Sequence, residues 1–388
     1  GGGAAALEGG GGEQPVLPLG DVSLLVLLLQ PRRGRALRVG GRAVGAGAVG
    51  CKVGGHMLAN GEDVTFIDGW PEHVNKINSD GLYMTGNTPE EEITVKGRAL
   101  HLTDVQKLAN EEPVDIAFVS MKSYDTQWAT QLIKPYLAPD GFIVSLQNCM
   151  NEEFIAAIVG WGKVIGTIAA KISVQMPGPA HVHRNGPIMG DSHTVFRVGE
   201  PHGRVTPRAE EVARMCGYCD SYMVTTNLWG ERWTKLVMNA SSNPMSAASG
   251  LSSTDISKDA DLRAVKIHLA AEAIEVGRAA GFNLEKLHGI DCGEWLKAVS
   301  GDKAAYKKIE DDYIAMGKKG NPDGRPSMGQ DMQKGRRTEI DFMNGLVCMK
   351  GKELGILTPV NDGIVEAVKM AEKDGSKASP ELVKGLIP

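Results

Sequence analysis

The stretch Gly45-Ala46-Gly47-Ala48-Val49-Gly50 decides the fold, because it fits the GxGxxG pattern of a turn between a strand and a helix. The first glycine permits the tight turn, the second lets backbone N–H groups approach a pyrophosphate, and the third lets the helix pack closely on the strand. The N-terminus of the helix attracts the anion. A glycine-rich loop without a ligand is the alternative, since the preceding run Leu37–Val44 contains two glycines and suits a strand poorly.

The residues after this turn complete a βαβ unit. Cys51–Ala59 is compatible with a helix, and a β-branched run from Val64 ends at Asp68, roughly 20 residues beyond the last glycine, where such units carry the acid that binds the adenosine ribose. A carboxylate there accepts hydrogen bonds from both ribose hydroxyls and repels a 2′-phosphate. Asp68 therefore favours NAD over NADP, although His73 and Lys76 are near enough in sequence to supply a cation.

The order of apolar and polar segments predicts two domains. Short apolar runs at 115–121 and 141–147 continue the alternation of strands and helices, which is typical of a parallel sheet covered on both faces. After about residue 225 the runs 261–280 and 338–352 are rich in helix formers. We predict a disordered leader over residues 1–35, an α/β Rossmann domain with a mostly parallel sheet over 36–225, and a mostly α-helical domain over 226–388.

Composition excludes several classes of partner. The net charge of −5 and an aromatic content of 5%, without a long basic block, predict no nucleic-acid partner. The longest apolar run, residues 22–29, is too short for a membrane span, so no membrane partner is expected. Six cysteines in 388 residues indicate free thiols, including the Cys216/Cys219 pair, in a reducing compartment. We expect a cytoplasmic protein, and the apolar, arginine-containing leader leaves organellar targeting open.

A polar stripe in the second half is the first candidate for substrate chemistry. Lys235, Asn239 and Asn243 are spaced at i, i+4 and i+8 and would share one helix face. One lysine and two amides are an unusual stripe for a core and for a generic solvent face. The alternative is an exposed polar helix that ends at Asn243, before Pro244.

The histidines suggest no metal site. His181 and His183 alternate along a predicted strand, so their rings point the same way, with His193 beyond. No cysteine or carboxylate lies directly beside His181 and His183 to complete a ligand set. We therefore predict an ordinary strand and no metal.

The motifs taken together give the chain a resemblance to the ketopantoate reductase family, which comprises 2-dehydropantoate 2-reductases and related D-2-hydroxyacid dehydrogenases. The resemblance spans about residue 40 to 370. It rests on GAGAVG at 45–50, Lys122 in SMKSYDT, Asn148 in LQNC, WTKLVMNASSNP around Lys235, SMGQD followed by RRTEIDFMNG, and TPVN at 358–361. It implies a Rossmann domain joined to a helical domain like that of 6-phosphogluconate dehydrogenase, with the active site between them.

The resemblance also implies a role for each matching residue. Lys235 would be the proton donor, and Glu339 would act beside it as a ligand near the nicotinamide ribose. The implied substrate ligands are Asn239, Asn243 and Ser327. The implied cofactor-binding residues are Gly45, Ala46, Gly47, Ala48, Val49, Gly50, Asp68, Lys122, Asn148 and Glu339.

Three positions depart from the family pattern. Cys149 stands where the family usually has glycine after the asparagine. Ser253 stands where another substrate-binding asparagine is common, and we keep it as a candidate substrate ligand. Asp68-Gly69 stands where NADPH-specific members carry a basic residue.

Ser327 and Glu339 also have structural interpretations. Ser327-Met-Gly-Gln330 is a capping box, so the hydroxyl could begin a helix that carries Glu339. Twelve residues of continuous helix would span about 18 Å, too far for both side chains to bind one small substrate. Glu339 could equally be an ion-pair partner of Arg336 or Arg337.

These observations predict an NAD(P)-dependent oxidoreductase that reduces a small 2-keto acid, with 2-dehydropantoate, the precursor of pantoate in pantothenate biosynthesis, as the leading substrate. A lysine ammonium suits this chemistry because it stabilises charge on the carbonyl oxygen and delivers a proton. An NAD-dependent D-2-hydroxyacid dehydrogenase on the same scaffold is the alternative. A non-catalytic dinucleotide sensor is more remote, since sensing needs no proton donor. A homodimer is a further expectation.

Overall fold

The computed structural model of the chain describes residues 26–29, 42–44, 47–320 and 323–387. The strands are β1 (Val26–Leu29), β2 (Arg42–Val44), β3 (Val64–Asp68), β4 (Leu82–Thr85), β5 (Ile93–Val95), β6 (Arg98–His101), β7 (Val114–Val119), β8 (Leu137–Ser145), β9 (Val164–Ala169), β10 (Val174–Gly178), β11 (His181–Arg184), β12 (Phe196–Gly199) and β13 (Tyr222–Val224). The helices are α1 (Ala48–Ala59), α2 (Pro71–Ser79), α3 (Thr126–Ile133), α4 (Glu152–Val159), α5 (Pro207–Cys216), α6 (Leu228–Ser249), α7 (Ser253–Lys258), α8 (Ala260–Ala279), α9 (Cys292–Val299), α10 (Lys303–Lys319), α11 (Ser327–Gln333), α12 (Asn344–Leu354), α13 (Pro359–Lys373) and α14 (Pro380–Lys384).

The first part of the chain forms the predicted α/β domain around one large sheet. Its strand order is β13-β12-β9-β8-β7-β1-β3-β6, with β2 paired to β1. The pairs β3–β6, β7–β8, β8–β9 and β12–β13 are parallel, whereas β12 runs antiparallel to β9. Strand β3 has the predicted bounds and is buried along its whole length, as a strand covered on both faces must be.

The prediction that residues 1–35 lie outside the fold is wrong for four of them. Residues 26–29 form β1, which pairs antiparallel with β2, β3 and β7 inside the large sheet. Their sequence, four consecutive aliphatic residues, is what a strand covered on both faces requires. The remaining residues of the leader, together with Gly45 and Ala46 of the glycine-rich turn, lie outside the described residues.

A second, smaller sheet was not predicted. Its order is β10-β11-β4-β5, and α1 packs on it closely: a Cβ on Gly55 would lie 2.4 Å from Met84 Sδ. His181 and His183 lie on β11, and both rings make hydrogen bonds with the Thr85 hydroxyl, at 2.9 and 2.8 Å. Among the described residues, no group of three or more His, Cys, Asp or Glu side chains is placed to hold a metal ion.

The second part of the chain is the predicted helical domain, built around α6 and α8. Helix α8 lies within one residue of its predicted bounds, and the Asp259 carboxylate caps it by accepting from the backbone N–H groups of Asp261 and Leu262. The buried residues form two clusters, one around the large sheet and one around α6 and α8. In the part of the chain that the structure describes, every helix is too short or too polar to cross a membrane.

The predicted helix over 338–352 is wrong in its first part. Residues 340–342 form a short 3-10 turn, and α12 begins only at Asn344. The chain bends at Met343, where φ is −107° and ψ is −89°. Asn344 therefore begins a helix instead of lying within one, and its side chain points into the domain core.

Asn344 replaces a backbone hydrogen bond that Pro244 removes from α6. Pro244 lies inside this helix and has no N–H, so the carbonyl of Ala240, four residues earlier, loses its helical donor. The side-chain amide Nδ2 of Asn344 donates to that oxygen at 2.9 Å and also to Asn361 Oδ1 at 2.9 Å. The motif residues Asn344 and Asn361 thus allow α6 to continue past Pro244 to Ser249.

We predict that Asn344→Ala lowers the free energy of unfolding by about 1–3 kcal/mol, because it leaves a buried carbonyl without a donor. In a Pro244→Ala background the backbone N–H of residue 244 can replace the lost donor, so Asn344→Ala should then lower the unfolding free energy by clearly less. Urea unfolding of the four proteins of this double-mutant cycle measures the difference. Equal losses in both backgrounds would show that Asn344 does not compensate for the proline.

Candidate active site

A cleft of about 400 Å³ opens where the two parts of the chain meet, at the carboxyl ends of β7, β8 and β9. This is the edge at which open α/β sheets bind their ligands. Several residues singled out in the sequence line it together: Gly47, Ala48, Val49, Lys122, Asn148, Lys235, Ser327 and Glu339.

The start of α1 fits an anionic group such as a pyrophosphate. Gly47 is the N-cap of this helix and provides no side chain to satisfy the first N–H groups, and the first turn contains no acidic residue. A Cβ at position 47 would lie 3.0 Å from the Ser120 carbonyl oxygen at the end of β7. Glycine therefore allows this close approach without a shift of the Ser120 carbonyl, and the cradle suits a dinucleotide. Gly50 is buried inside the helix.

Lys235 reaches this cleft from α6. Its Nζ donates a hydrogen bond to the carbonyl oxygen of Ala169, the last residue of β9, and its partner is thus a neutral acceptor from the other domain. Burial lowers the pKa of Lys235 to about 7; Arg232 acts in the same direction, against the raising influence of Cys149 and Glu339. The ammonium can therefore release its proton near neutral pH.

Lys122 makes the second set of contacts between the domains. Its Nζ donates to Asp331 Oδ2 at 2.5 Å and to Ser327 Oγ at 3.2 Å, and lies 3.4 Å from Glu339 Oε2. Burial opposes the charged form of this lysine, but Glu339 and Asp331 outweigh it and raise its pKa above the usual range. The backbone N–H and hydroxyl of Ser123 also donate to Glu339 Oε1, at 2.8 and 2.9 Å.

The expected helix from Ser327 through Glu339 does not form. Helix α11 ends at Gln333, and Gly335, with φ at +63°, reverses the chain. Ser327 and Glu339 therefore both reach Lys122. The capping box is absent as well, since the N-cap of α11 is Pro326.

Glu339 contacts Lys122 and Ser123, whereas the alternative interpretation paired it with Arg336 or Arg337. Arg337 instead stacks over the Tyr124 ring at 4.7 Å and lies 3.8 Å from Asp341 Oδ2.

Five of the predicted site residues that the structure describes do not line the cleft: Gly50, Asp68, Asn239, Asn243 and Ser253. Asn239 and Asn243 are on α6 as predicted, but the helix rises about 1.5 Å per residue, so Asn243 lies roughly 12 Å beyond Lys235 along the axis. Ser253 is exposed in the first turn of α7, after the chain has left α6. The spacing of these residues predicted that they share α6, but it did not predict how far along the helix the cleft extends.

Asp68 ends β3 with a buried carboxylate. Its Oδ1 accepts a hydrogen bond from the backbone N–H of Trp70 at 2.7 Å, which fixes the turn into α2. Trp70 itself lines the cleft, with its ring stacked on His73 at 5.5 Å between ring centroids.

Several residues at the cleft were not predicted. Asp331 lies within the SMGQD motif but was given no role, although it forms the shortest contact of Lys122. Lys171 and Arg325 line the cleft on loops without a recognisable motif. Asn151 Nδ2 donates to the carbonyl oxygen of Asn148 at 2.7 Å and holds the turn that carries Asn148.

Cys149 has a backbone conformation that favours glycine. Its φ is +62°, in the left-handed region, and its side chain is buried. This explains why glycine is usual at this position in the family that the sequence resembles. Burial, and then Glu339, raises the pKa of the thiol, so it is neutral at physiological pH.

We predict that Cys149→Gly changes the free energy of unfolding by less than about 1 kcal/mol, since the relief of strain offsets the entropy of glycine and the lost thiol contacts. Cys149→Val should lower it by more than about 2 kcal/mol, because a β-branched residue is a strong outlier at positive φ. Urea unfolding of both variants is the measurement. A valine variant as stable as the glycine variant would contradict the left-handed turn.

Known proteins resemble this chain over both of its parts. A family described as ketopantoate reductase PanE/ApbA matches residues 43–193, and its C-terminal counterpart matches residues 227–372. The 2-dehydropantoate 2-reductase of Archaeoglobus fulgidus is 28% identical over 331 residues, which cover 85% of this chain and 96% of that protein.

Solved structures show the same fold. A ketopantoate reductase from Ralstonia eutropha JMP134 superposes with a TM-score of 0.68 at 26% identity, covering 85% of this chain and 97% of that one. D-Mandelate dehydrogenase, solved with NADH and anilino(oxo)acetate, gives a TM-score of 0.69 at 22% identity over 85% of this chain and 96% of that one. With both of its domains matched, the chain belongs to the ketopantoate reductase family and is an oxidoreductase that acts on CH–OH groups with a nicotinamide dinucleotide.

Proposed function

We propose that the protein reduces a small 2-keto acid to the 2-hydroxy acid, with 2-dehydropantoate as the first candidate substrate. The observation that carries this proposal is the Lys235 ammonium, which lines one cleft with the glycine turn at the start of α1. The name of the Archaeoglobus fulgidus relative, 2-dehydropantoate 2-reductase, supports the same substrate.

Lys235 provides the acid that the reaction needs. The bound nicotinamide would supply the hydride, and negative charge would then develop on the former carbonyl oxygen. An ammonium beside that oxygen stabilises the charge and gives up a proton to form the hydroxyl. A pKa of about 7 suits this task, because the group is protonated at neutral pH yet releases its proton readily.

The second cluster would orient the reactants. Glu339 would accept from a ribose hydroxyl near the nicotinamide, while Lys122 and Ser123 hold its carboxylate in place. Lys122 remains charged between Glu339 and Asp331, so it contributes a fixed positive charge and no proton. Ser327 and Asn148 line the same cleft and would donate hydrogen bonds to the substrate and the cofactor.

An NAD-dependent D-2-hydroxyacid dehydrogenase is the second candidate. Asp68 at the end of β3 favours NAD, and Ser253 is exposed, so the extra polar ligand that would read a hydroxyl of pantoate is absent from the described lining of the cleft. The structural neighbour solved with NADH and anilino(oxo)acetate shows that this fold accommodates an aromatic 2-oxo acid analogue. The sensor alternative leaves the position of Lys235 unexplained.

Initial rates with NADH and NADPH against ketopantoate, benzoylformate and branched 2-keto acids test the proposal.

We expect Lys235→Ala to lower kcat at least about 10²-fold with nearly unchanged cofactor affinity. Because the lysine must be protonated to act as an acid, reduction by the wild type should slow as the pH rises through about 7, while oxidation of the hydroxy acid speeds up. Lys297→Ala, an exposed lysine of α9 paired with Glu294, is the control. Full activity in Lys235→Ala would refute the assignment.

Asp68 should determine the choice of cofactor. We predict that Asp68→Ala improves kcat/KM for NADPH relative to NADH, since the carboxylate that repels a 2′-phosphate is gone. The ratio of the two kcat/KM values measures the effect, and thermal unfolding controls for loss of the hydrogen bond to Trp70. A wild type that already prefers NADPH strongly would exclude this role.

A further inference from the structure

Helix α6 carries a second cation that enters the other domain. The side chain of Arg232 is 1% exposed and forms an ion pair with Glu152, which is 0% exposed and lies in the first turn of α4. The two partners come from different domains. No motif in the sequence singled out either residue.

The guanidinium also binds the carboxyl ends of the central strands. Arg232 Nη1 donates to the carbonyl oxygens of Gln147 at 2.7 Å and Thr167 at 3.3 Å, and Nη2 donates to the carbonyl oxygen of Ser145 at 3.3 Å. These acceptors belong to β8, to the turn that follows it, and to β9. A planar fork with several donors suits this set of acceptors, whereas the single ammonium of a lysine does not.

Arg232 and Lys235 act on the same strand. They are three residues apart on α6 and therefore lie on one side of the helix. Arg232 donates to Thr167 of β9, and Lys235 donates to Ala169, two residues further along. Two side chains from one helix turn thus fix α6 at two points along β9.

We propose that Arg232, held by Glu152 and the strand carbonyls, is the positioning residue that sets where the Lys235 ammonium lies in the cleft. Its catalytic consequence rests on the proposed function. The contacts themselves hold whatever the substrate is.

The charge of Arg232 matters as well as its geometry. The ionisable groups that act on Lys235 are Arg232 from its own helix, Cys149 from the turn after β8, and Glu339 from the segment before α12. Burial lowers the pKa of Lys235 the most, and Arg232 is the next cause that lowers it. Stability alone does not explain the pair, because buried ion pairs often contribute no more than apolar residues of the same volume.

The test removes both charges in Arg232→Met combined with Glu152→Gln. Lys235 is then labelled with acetic anhydride at a series of pH values, and the modified peptide is quantified by mass spectrometry. We expect the midpoint of labelling to move to higher pH, and in the activity assay we expect kcat to fall at least about tenfold as the ammonium loses its alignment. Arg232→Lys keeps the charge but loses the fork, so kcat should fall with a smaller change in midpoint.

The matched control is Arg184→Met with Asp220→Asn, a pair that is equally buried and does not line the cleft. It should leave the labelling midpoint of Lys235 unchanged. An unchanged midpoint and kcat in the Arg232→Met/Glu152→Gln protein would overturn the proposal. Labelling does not require turnover, so a shifted midpoint in a protein inactive on every 2-keto acid would contradict the proposed function and leave the influence of the Arg232 charge on Lys235 supported.

Discussion

The site depends on α6 keeping one orientation across the boundary between the domains. This helix belongs to the helical domain, yet its first turns carry the side chains of Arg232 and Lys235 to the carboxyl ends of β8 and β9. Further along, Pro244 would interrupt it if the Asn344 amide did not donate to the Ala240 carbonyl. Polar contacts from other parts of the chain thus support this helix near both of its ends.

Two lysines in one cleft have pKa values that are shifted in opposite directions, because their surroundings differ. Lys122 lies between the carboxylates of Asp331 and Glu339, and these hold it in the charged form. Lys235 donates to a neutral carbonyl oxygen, and burial and then the Arg232 guanidinium outweigh Cys149 and Glu339 and lower its pKa to about 7. Groups of the same type whose environments separate their pKa values divide the roles in an active site. Lys122 can orient, and Lys235 can exchange a proton.

The sequence predicted the elements whose signals are local. Strand β3 and helix α8 follow from periodicity and capping, and Gly47 and Lys235 follow from motifs whose chemistry needs those residue types. The family and fold are confirmed by the matched domains. The NAD preference and the individual site roles remain predictions.

The predictions that were wrong or missing depend on contacts between residues that are distant in sequence. The aliphatic run at 26–29 was discounted because it stands in an unusual leader, although it pairs with β3 and β7. The segment from Ser327 to Glu339 looked like one helix, but a glycine at positive φ turns it back onto Lys122. The partners of Arg232 come from β8, β9 and α4, and no spacing rule connects them.

The contact between Asn344 and Ala240 has a consequence for chemical ageing. Asn344 is followed by Gly345, the dipeptide in which an exposed asparagine most readily cyclises and loses its amide. In the folded protein the side chain is buried at the start of α12, and its amide is engaged by two acceptors, so the backbone nitrogen cannot easily attack it. Each unfolding event exposes this position. An aspartate formed there could only accept hydrogen bonds, and the Ala240 carbonyl would find no donor when the chain refolds.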